Sequence, residues 1–276
     1  MNVVEQMLQR YPQDSNEARA HALREVMQEI ALAGLYRGGF FDVAAFYGGT
    51  CLRIFHALPR FSEDLDFSLL QPNAGFALEP YFDAMQEEFA AFGFEVEISA
   101  KPKAATSDIA SAFLKKTASV YDLRIAGTKL IKIKFEVDTD PPLGFVHEEQ
   151  LLLQPYSFYV KCFALPDLFA GKMHALLFRR WKNRVKGRDW FDFEWYVRRG
   201  CPLNLEHFTE RARQSGDLDG AVLSEEAFLG MLEARIRSLD VDSARQDVAR
   251  FIKTQAQLDI WSQDYFLQLA RMIRFQ

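Results

Sequence analysis

The segment FYGGTCLRIFHALPRFSEDLDFSLL, residues 46–70, poses a physical problem in its last third, where Asp64 and Asp66 flank a single leucine. In a β-strand alternate side chains share a face, so both carboxylates point one way while Leu65, Phe67 and Leu69 point the other. Like charges at that spacing repel, and burying them is costly. A cation between them resolves the conflict. Just ahead, the short apolar strand 43–47 runs into Gly48-Gly49-Thr50, and a helix follows as far as Pro59. A strand, a glycine turn and a helix let backbone N–H groups approach an anionic phosphate, with the Thr50 hydroxyl as a further donor. Asp64 and Asp66 on the next strand then suit Mg²⁺, which takes carboxylates together with substrate phosphate oxygens. A glycine turn beside a solvated acidic edge explains either motif alone. It does not explain the two in succession.

Downstream, KLIKIKFEVD (129–138) alternates, with Ile131, Ile133, Phe135 and Val137 on one face and Lys132, Lys134, Glu136 and Asp138 on the other. Metal-assisted phosphoryl transfer calls for a third carboxylate, and Glu136 and Asp138, of one parity, are both candidates. Lys134 either neutralises the acids' repulsion or contacts phosphate. In LPDLFAGKMHALL (165–177), Lys172 interrupts an apolar helical stripe, so it either snorkels to water or reaches a buried anion. The segment 182–197, KNRVKGRDWFDFEWYV, sets a basic run ahead of Asp189, with Asp192 at i+3 on the same helix face. Asp189 is the candidate to orient Lys172 or a nucleotide; a solvated loop with an acid compensating the helix dipole is the plainer alternative.

The remaining pattern frames these motifs. Ser15 caps a long helix over 16–39 whose last turn Gly34 weakens; an amphipathic helix covers 78–93, and strands are expected at 94–100, 111–123 and 157–165. From there the pattern turns helical, at 166–182, 189–199, 204–214, 224–238, 241–256 and 261–274. The expected organisation is an α/β domain over 1–160 with an N-terminal helical segment, then a helical domain over 161–276 that brings Lys172 and Asp189 to the cleft. With 49% apolar residues and 25 Phe the chain can bury a sizeable core. A net charge of −5 excludes gripping nucleic acid through overall charge, but not through a local patch. Three dispersed cysteines exclude a thiolate zinc cage and fit a reducing compartment. The histidines show no metalloprotease spacing, His56 and His174 read as structural, and no Ser/His/Asp arrangement emerges. Without a signal peptide or a membrane-spanning apolar run, a cytoplasmic protein with no membrane partner is expected.

Taken together, G-G-T-x-L at 48–52, R-x-S-x-D-L-D-F at 60–67, IKIKFEV, the lysine-bearing helix and R-D-x-x-D at 188–192 resemble the AbiEii/AbiGii-type toxins, a branch of the DNA polymerase β-like nucleotidyltransferase superfamily. The resemblance covers about residues 46–199; the helices from 200 on carry no recognised motif. It implies an α+β fold, a polymerase-β-like mixed sheet with flanking helices followed by a helical C-terminal domain. It implies that Gly48, Gly49 and Thr50 hold a nucleoside triphosphate, and that Asp64 and Asp66 bind Mg²⁺ (Mn²⁺ as the second choice) with Glu136 or Asp138. It gives Arg60 and Ser62 the support of the metal loop and phosphates, Lys172 a phosphate contact, and Asp189 the completion of the site. The implied activity is transfer of a nucleotide from an NTP to a hydroxyl, with a tRNA 3′ end as leading acceptor. It would serve as the toxin of a bacterial toxin–antitoxin or phage-defence system, with a cognate antitoxin as partner. The basic residues Arg179, Arg180, Lys182, Arg184, Lys186 and Arg188 form a patch able to meet RNA. The alternatives are a transferase acting on a small molecule or a protein hydroxyl, and a regulatory module that binds NTP without turnover; a third acid weighs against the latter.

Overall fold

The computed structural model describes residues 2–100, 118–125, 131–179, 185–220 and 222–276. They form two compact units, one of Met1–Phe55, Glu63–Pro141 and His147–Cys162, the other of His56–Ser62, Pro142–Val146 and Phe163–Gln276.

The first unit is built on a mixed seven-stranded sheet in the order β3-β4-β5-β2-β1-β7-β6. Its strands are β1 (Ala44–Tyr47), β2 (Asp64–Leu69), β3 (Val96–Ala100), β4 (Ala118–Ile125), β5 (Lys132–Asp138), β6 (His147–Leu152) and β7 (Phe158–Phe163). β2 lies antiparallel to β1 and parallel to β5, and β1 runs parallel to β7. One face carries the alternating apolar residues, with Phe46, Leu65, Phe67, Phe135 and Val137 all fully buried. Phe67 sits edge-on to Phe40 at 5.0 Å between centroids and tilted against Phe46 at 5.1 Å. Among the helices, α1 is Val3–Leu8, α2 Asn16–Arg37, α3 Gly48–His56 and α4 Phe82–Ala91. α2 starts where expected, with Ser15 accepting from the Ala18 N–H at 3.0 Å. The helix runs on past Gly34 to Arg37. A Cβ on Gly34 would lie 2.7 Å from the Met85 Cα, so the glycine is where α2 and α4 approach closely.

The second unit is helical: α5 (Leu165–Phe178), α6 (Gly187–Arg198), α7 (Leu205–Gln214), α8 (Glu225–Arg237), α9 (Val241–Ala249) and α10 (Gln263–Ala270). Phe169 and Tyr196 stack at 4.4 Å between α5 and α6, and the buried Trp261 donates its indole N–H to Glu194 at 2.7 Å. Two single helices expected from periodicity end early. The one over 241–256 stops at Ala249 because the backbone of 250–252 pairs with another segment, Phe61 N–H donating to Phe251 C=O at 2.8 Å and Arg60 bridging Ile252. The one over 261–274 stops at Ala270, and Arg274–Phe275 instead pair in parallel with Pro202–Leu203 as the short strands β9 and β8. Residues 111–117, 129–130 and 180–182 of the expected elements lie outside the described residues. Among the described residues no helix is long and apolar enough to cross a membrane.

Candidate active site

The acids of the first unit are placed by sheet register. β1 ends at Tyr47, paired with Asp66, and the chain turns at Gly48 into α3. Gly48 has φ +82°, and a Cβ on it would lie 2.4 Å from Asp66 Oδ2, so only glycine lets the loop backbone rest against that carboxylate. Across the sheet Asp64 pairs with Lys134, Asp66 with Glu136, and Ser68 with Asp138. Asp64, Asp66, Lys134, Glu136 and Asp138 therefore share one face and are all half-buried, while Leu65, Phe67, Phe135 and Val137 go to the core. The register distinguishes the two candidates for third acid. Glu136 lies directly beside Asp66, whereas Asp138 lies one row further on, beside a serine, and its Oδ1 accepts the Asp140 N–H at 3.2 Å. Lys134 forms an ion pair with Glu136, so its charge offsets that of the acids.

Thr50 departs from its expected role. It is fully buried, and its hydroxyl donates to the backbone carbonyl of Asp64. That hydrogen is spent within the protein and is not available to a phosphate. Gly49 stands in the first turn of α3 beside Gly48, and the backbone N–H groups of such a turn are donors able to meet an anion.

Among the described residues no group of three or more His, Cys, Asp or Glu is gathered into a metal cage. The donor set nevertheless fits Mg²⁺ or Mn²⁺. These hard cations bind in nucleotide sites through one or two carboxylates, retained waters and substrate phosphates, and Asp64 and Asp66 offer oxygen ligands from one strand face.

In the second unit Lys172 does not snorkel. Its Nζ lies 2.8 Å from Asp189 Oδ1 and 2.8 Å from Asp192 Oδ2, two carboxylates one turn apart on α6. Arg60 grips Asp192 in a fork, Nε to Oδ1 at 2.5 Å and Nη2 to Oδ2 at 2.6 Å. Arg60 is 2% exposed and its Nη1 donates to the Phe61 carbonyl at 2.9 Å, so it anchors its own loop and has no reach to a phosphate. Ser62 is buried in the same loop. The four charges alternate as Asp189, Lys172, Asp192 and Arg60 and sum to zero. Burial pushes both carboxyl groups up, but the cations win: Lys172, Lys186 and Arg179 hold Asp189 well below the usual carboxylate range, and Arg60 and Lys172 lower Asp192. Burial lowers Lys186 to about 8 against the pull of Asp189. Asp192 is the residue that sequence reasoning placed on the right helix face and gave no role. The signal was its i+3 spacing from Asp189; its partner Arg60, distant in sequence, was not legible there. Of the expected basic patch, Arg179 is exposed, Lys186 is half-buried, and the Arg188 guanidinium lies 4.1 Å over the Phe251 ring. Arg180, Lys182 and Arg184 lie outside the described residues.

Solved structures share this architecture, two nucleotidyltransferases among them. A proposed nucleotidyltransferase from H. pylori aligns with a TM-score of 0.52 at 19% identity, over 94% of this chain and 93% of its own. MenT4, a nucleotidyltransferase toxin from Mycobacterium tuberculosis, aligns with a TM-score of 0.50 at 17% identity, over 99% and 98% of the two chains. At such identities the likeness shows the fold. No curated protein matches the chain significantly in sequence. The family model of the AbiEii nucleotidyl transferase toxin, type IV toxin–antitoxin system, matches residues 30–276, and with it the glycine turn, the acid-bearing strands and the Lys172 network. The chain therefore belongs to the AbiEii family of nucleotidyltransferase toxins.

Proposed function

We propose that this toxin nucleotidyltransferase moves an NMP from an NTP to an acceptor hydroxyl of RNA, a tRNA 3′ end as the leading case, in a Mg²⁺-dependent reaction counteracted by its antitoxin. The observation that carries the reading is the register that sets Glu136 beside Asp66, on the face where the Gly48 backbone meets the Asp66 carboxylate. Asp64 and Asp66 would hold the metal, and the first turn of α3 would receive phosphate oxygens on its backbone N–H groups. A Mg²⁺ ion held there would supply positive charge against the negative charge that develops on the triphosphate. The acceptor oxygen attacks the α-phosphorus in line, a new P–O bond forms, and the bond to the leaving pyrophosphate breaks. Glu136 accepts the proton of the attacking hydroxyl, with Lys134 as its counter-charge. RNA as acceptor rests on the family resemblance together with the local cations Arg179 and Lys186.

The test is incubation with each α-labelled NTP, Mg²⁺ and total RNA, with the variants Glu136→Gln and Asp138→Asn alongside. Label is expected on RNA, with Glu136→Gln slowing transfer by on the order of a hundredfold and Asp138→Asn by only a few-fold. Label on protein or small molecules instead replaces the acceptor. Equal, mild effects of the two variants remove Glu136 from its role.

A further inference from the structure

We infer that Thr50 and Gln28 are positioning residues that fix the metal-binding strand through its backbone, and that neither touches metal or nucleotide. The inference rests on the reading of Asp64 and Asp66 as the metal-binding pair. β1 escorts β2 only as far as the pair Tyr47–Asp66; there the chain leaves the sheet at Gly48 and becomes α3. Beyond that pair β1 offers no donor to Asp64, the first residue of β2, and a carbonyl left without a donor is expensive. Side chains supply donors to its carbonyl and to that of Glu63 just ahead of it. Gln28 Nε2 donates to the Glu63 carbonyl at 3.1 Å, and the Thr50 hydroxyl donates to the Asp64 carbonyl. Both donor residues are fully buried.

Their surroundings hold them in turn. One turn before Gln28 on α2, Arg24 lies 3.5 Å from the Glu63 carboxylate, and Glu25 accepts from Arg53 of α3 at 3.0 Å. One face of α2 thus holds both the residue ahead of the first metal acid and the helix that begins with the glycine turn. Thr50 joins that helix to the strand directly. The phosphate-facing turn and the carboxylate face become one hydrogen-bonded unit, so the spacing between phosphate and metal is preset. A metal ligand displaced by even about an ångström no longer binds productively.

The experiment uses the full chain, with Mn²⁺ affinity in the absence of NTP, transfer kinetics and a thermal melt as readouts. Thr50→Val keeps the shape and loses the donor; Thr50→Ser keeps the donor and loses a methyl; Gln28→Met keeps the length and loses the donor. Thr50→Val and Gln28→Met are each expected to weaken Mn²⁺ about tenfold and to lower kcat while KM for NTP stays within about twofold. Thr50→Ser is expected to recover most of the Mn²⁺ affinity. Asp66→Ala in the same assay separates the two readings. If it leaves Mn²⁺ binding unchanged, the metal assignment fails. If it abolishes Mn²⁺ binding while Gln28→Met and Thr50→Val bind as the wild type does, only the positioning inference is overturned. Should Thr50→Val fail to fold, wild-type Mn²⁺ affinity in Gln28→Met overturns the inference by itself.

Discussion

Replacing Asp192 with Asn is the sharpest probe of the second unit. Asp192 is fully buried and accepts from both Arg60 and Lys172. The neutral amide keeps the shape but offers one acceptor where the carboxylate offered two, and its NH₂ must face a cation. The cluster goes from neutral to one net positive charge, and Arg60, 2% exposed, cannot take its charge to water. Breaking a buried pair by removing one partner costs about 3–5 kcal/mol. At about 2–4 °C per kcal/mol for a chain of this class, Tm should fall by roughly 6–20 °C. Asp189→Asn should cost less, because Lys172, with 15% of its side chain exposed, can turn to water and keep Asp192. The informative control removes both partners of the fork: Arg60→Met with Asp192→Leu leaves no buried charge unpaired between them and should be much less destabilised than the two single variants sum to. Circular dichroism melts at pH 7 lie on the plateau. The folded pKa of Asp192 lies below its unfolded value of about 3.9, so its stabilisation is complete above that pH and is lost as pH falls through the folded value. A melt of Asp192→Asn within about 1 °C of wild type, or strict additivity in the double variant, refutes the reasoning.

Two further outcomes follow from single contacts. Gly48→Ala places a Cβ both in a left-handed backbone and 2.4 Å from Asp66 Oδ2; transfer should be lost and stability should fall by about 1–2 kcal/mol or more, as a melt and a label-transfer assay would show. His207 is buried against the Phe145 and Phe163 rings, and burial, then Arg211 and His174, lower its pKa to about 3. Between that value and about 6.5 the unfolded chain binds the extra proton, so His207 lowers stability as pH falls through this window, by up to about 1.4 kcal/mol per pH unit; His207→Phe should flatten the loss in urea titrations between pH 6.5 and 4.

What the sequence made legible was whatever a local period could carry. The alternation in 64–69 and 132–138 put six charged residues, Asp64, Asp66, Lys132, Lys134, Glu136 and Asp138, on the polar faces of their own strands before any strand pairing was known. It could not choose between Glu136 and Asp138, because both have the same parity and only the parallel register to β2 separates them. Thr50 shows the complementary failure. A hydroxyl at a helix start looks like a phosphate donor, and what redirects it is the carbonyl that β1 leaves behind when it ends. Strand β6 was not read because HEEQLL is exposed along most of its length, so no alternation marks it. The first helix was missed although Asn2 and Glu5 form a capping box, a signal that the local pattern did contain.

The chain uses paired acids twice, to opposite ends, and environment sorts them. Asp64 and Asp66 recur at period two on a strand whose other face is core, so they stay half-exposed on a common face with Glu136. On that face Lys134, an ammonium on a flexible stem, pairs with Glu136, and a half-exposed carboxylate can turn an oxygen to an incoming ion. Asp189 and Asp192 recur at i, i+3 on a helix whose whole surround is protein. Buried there, each must be neutralised by built-in cations, and Asp192 receives the planar fork of an arginine that fills both its oxygens. A carboxylate whose oxygens are spent this way cannot ligate a metal without first releasing a buried guanidinium, at a cost of several kcal/mol. On the proposed reading the same residue type is a ligand on the strand, while on the helix it is scaffold. The deciding quantity is how much of its hydrogen-bonding capacity the fold leaves over.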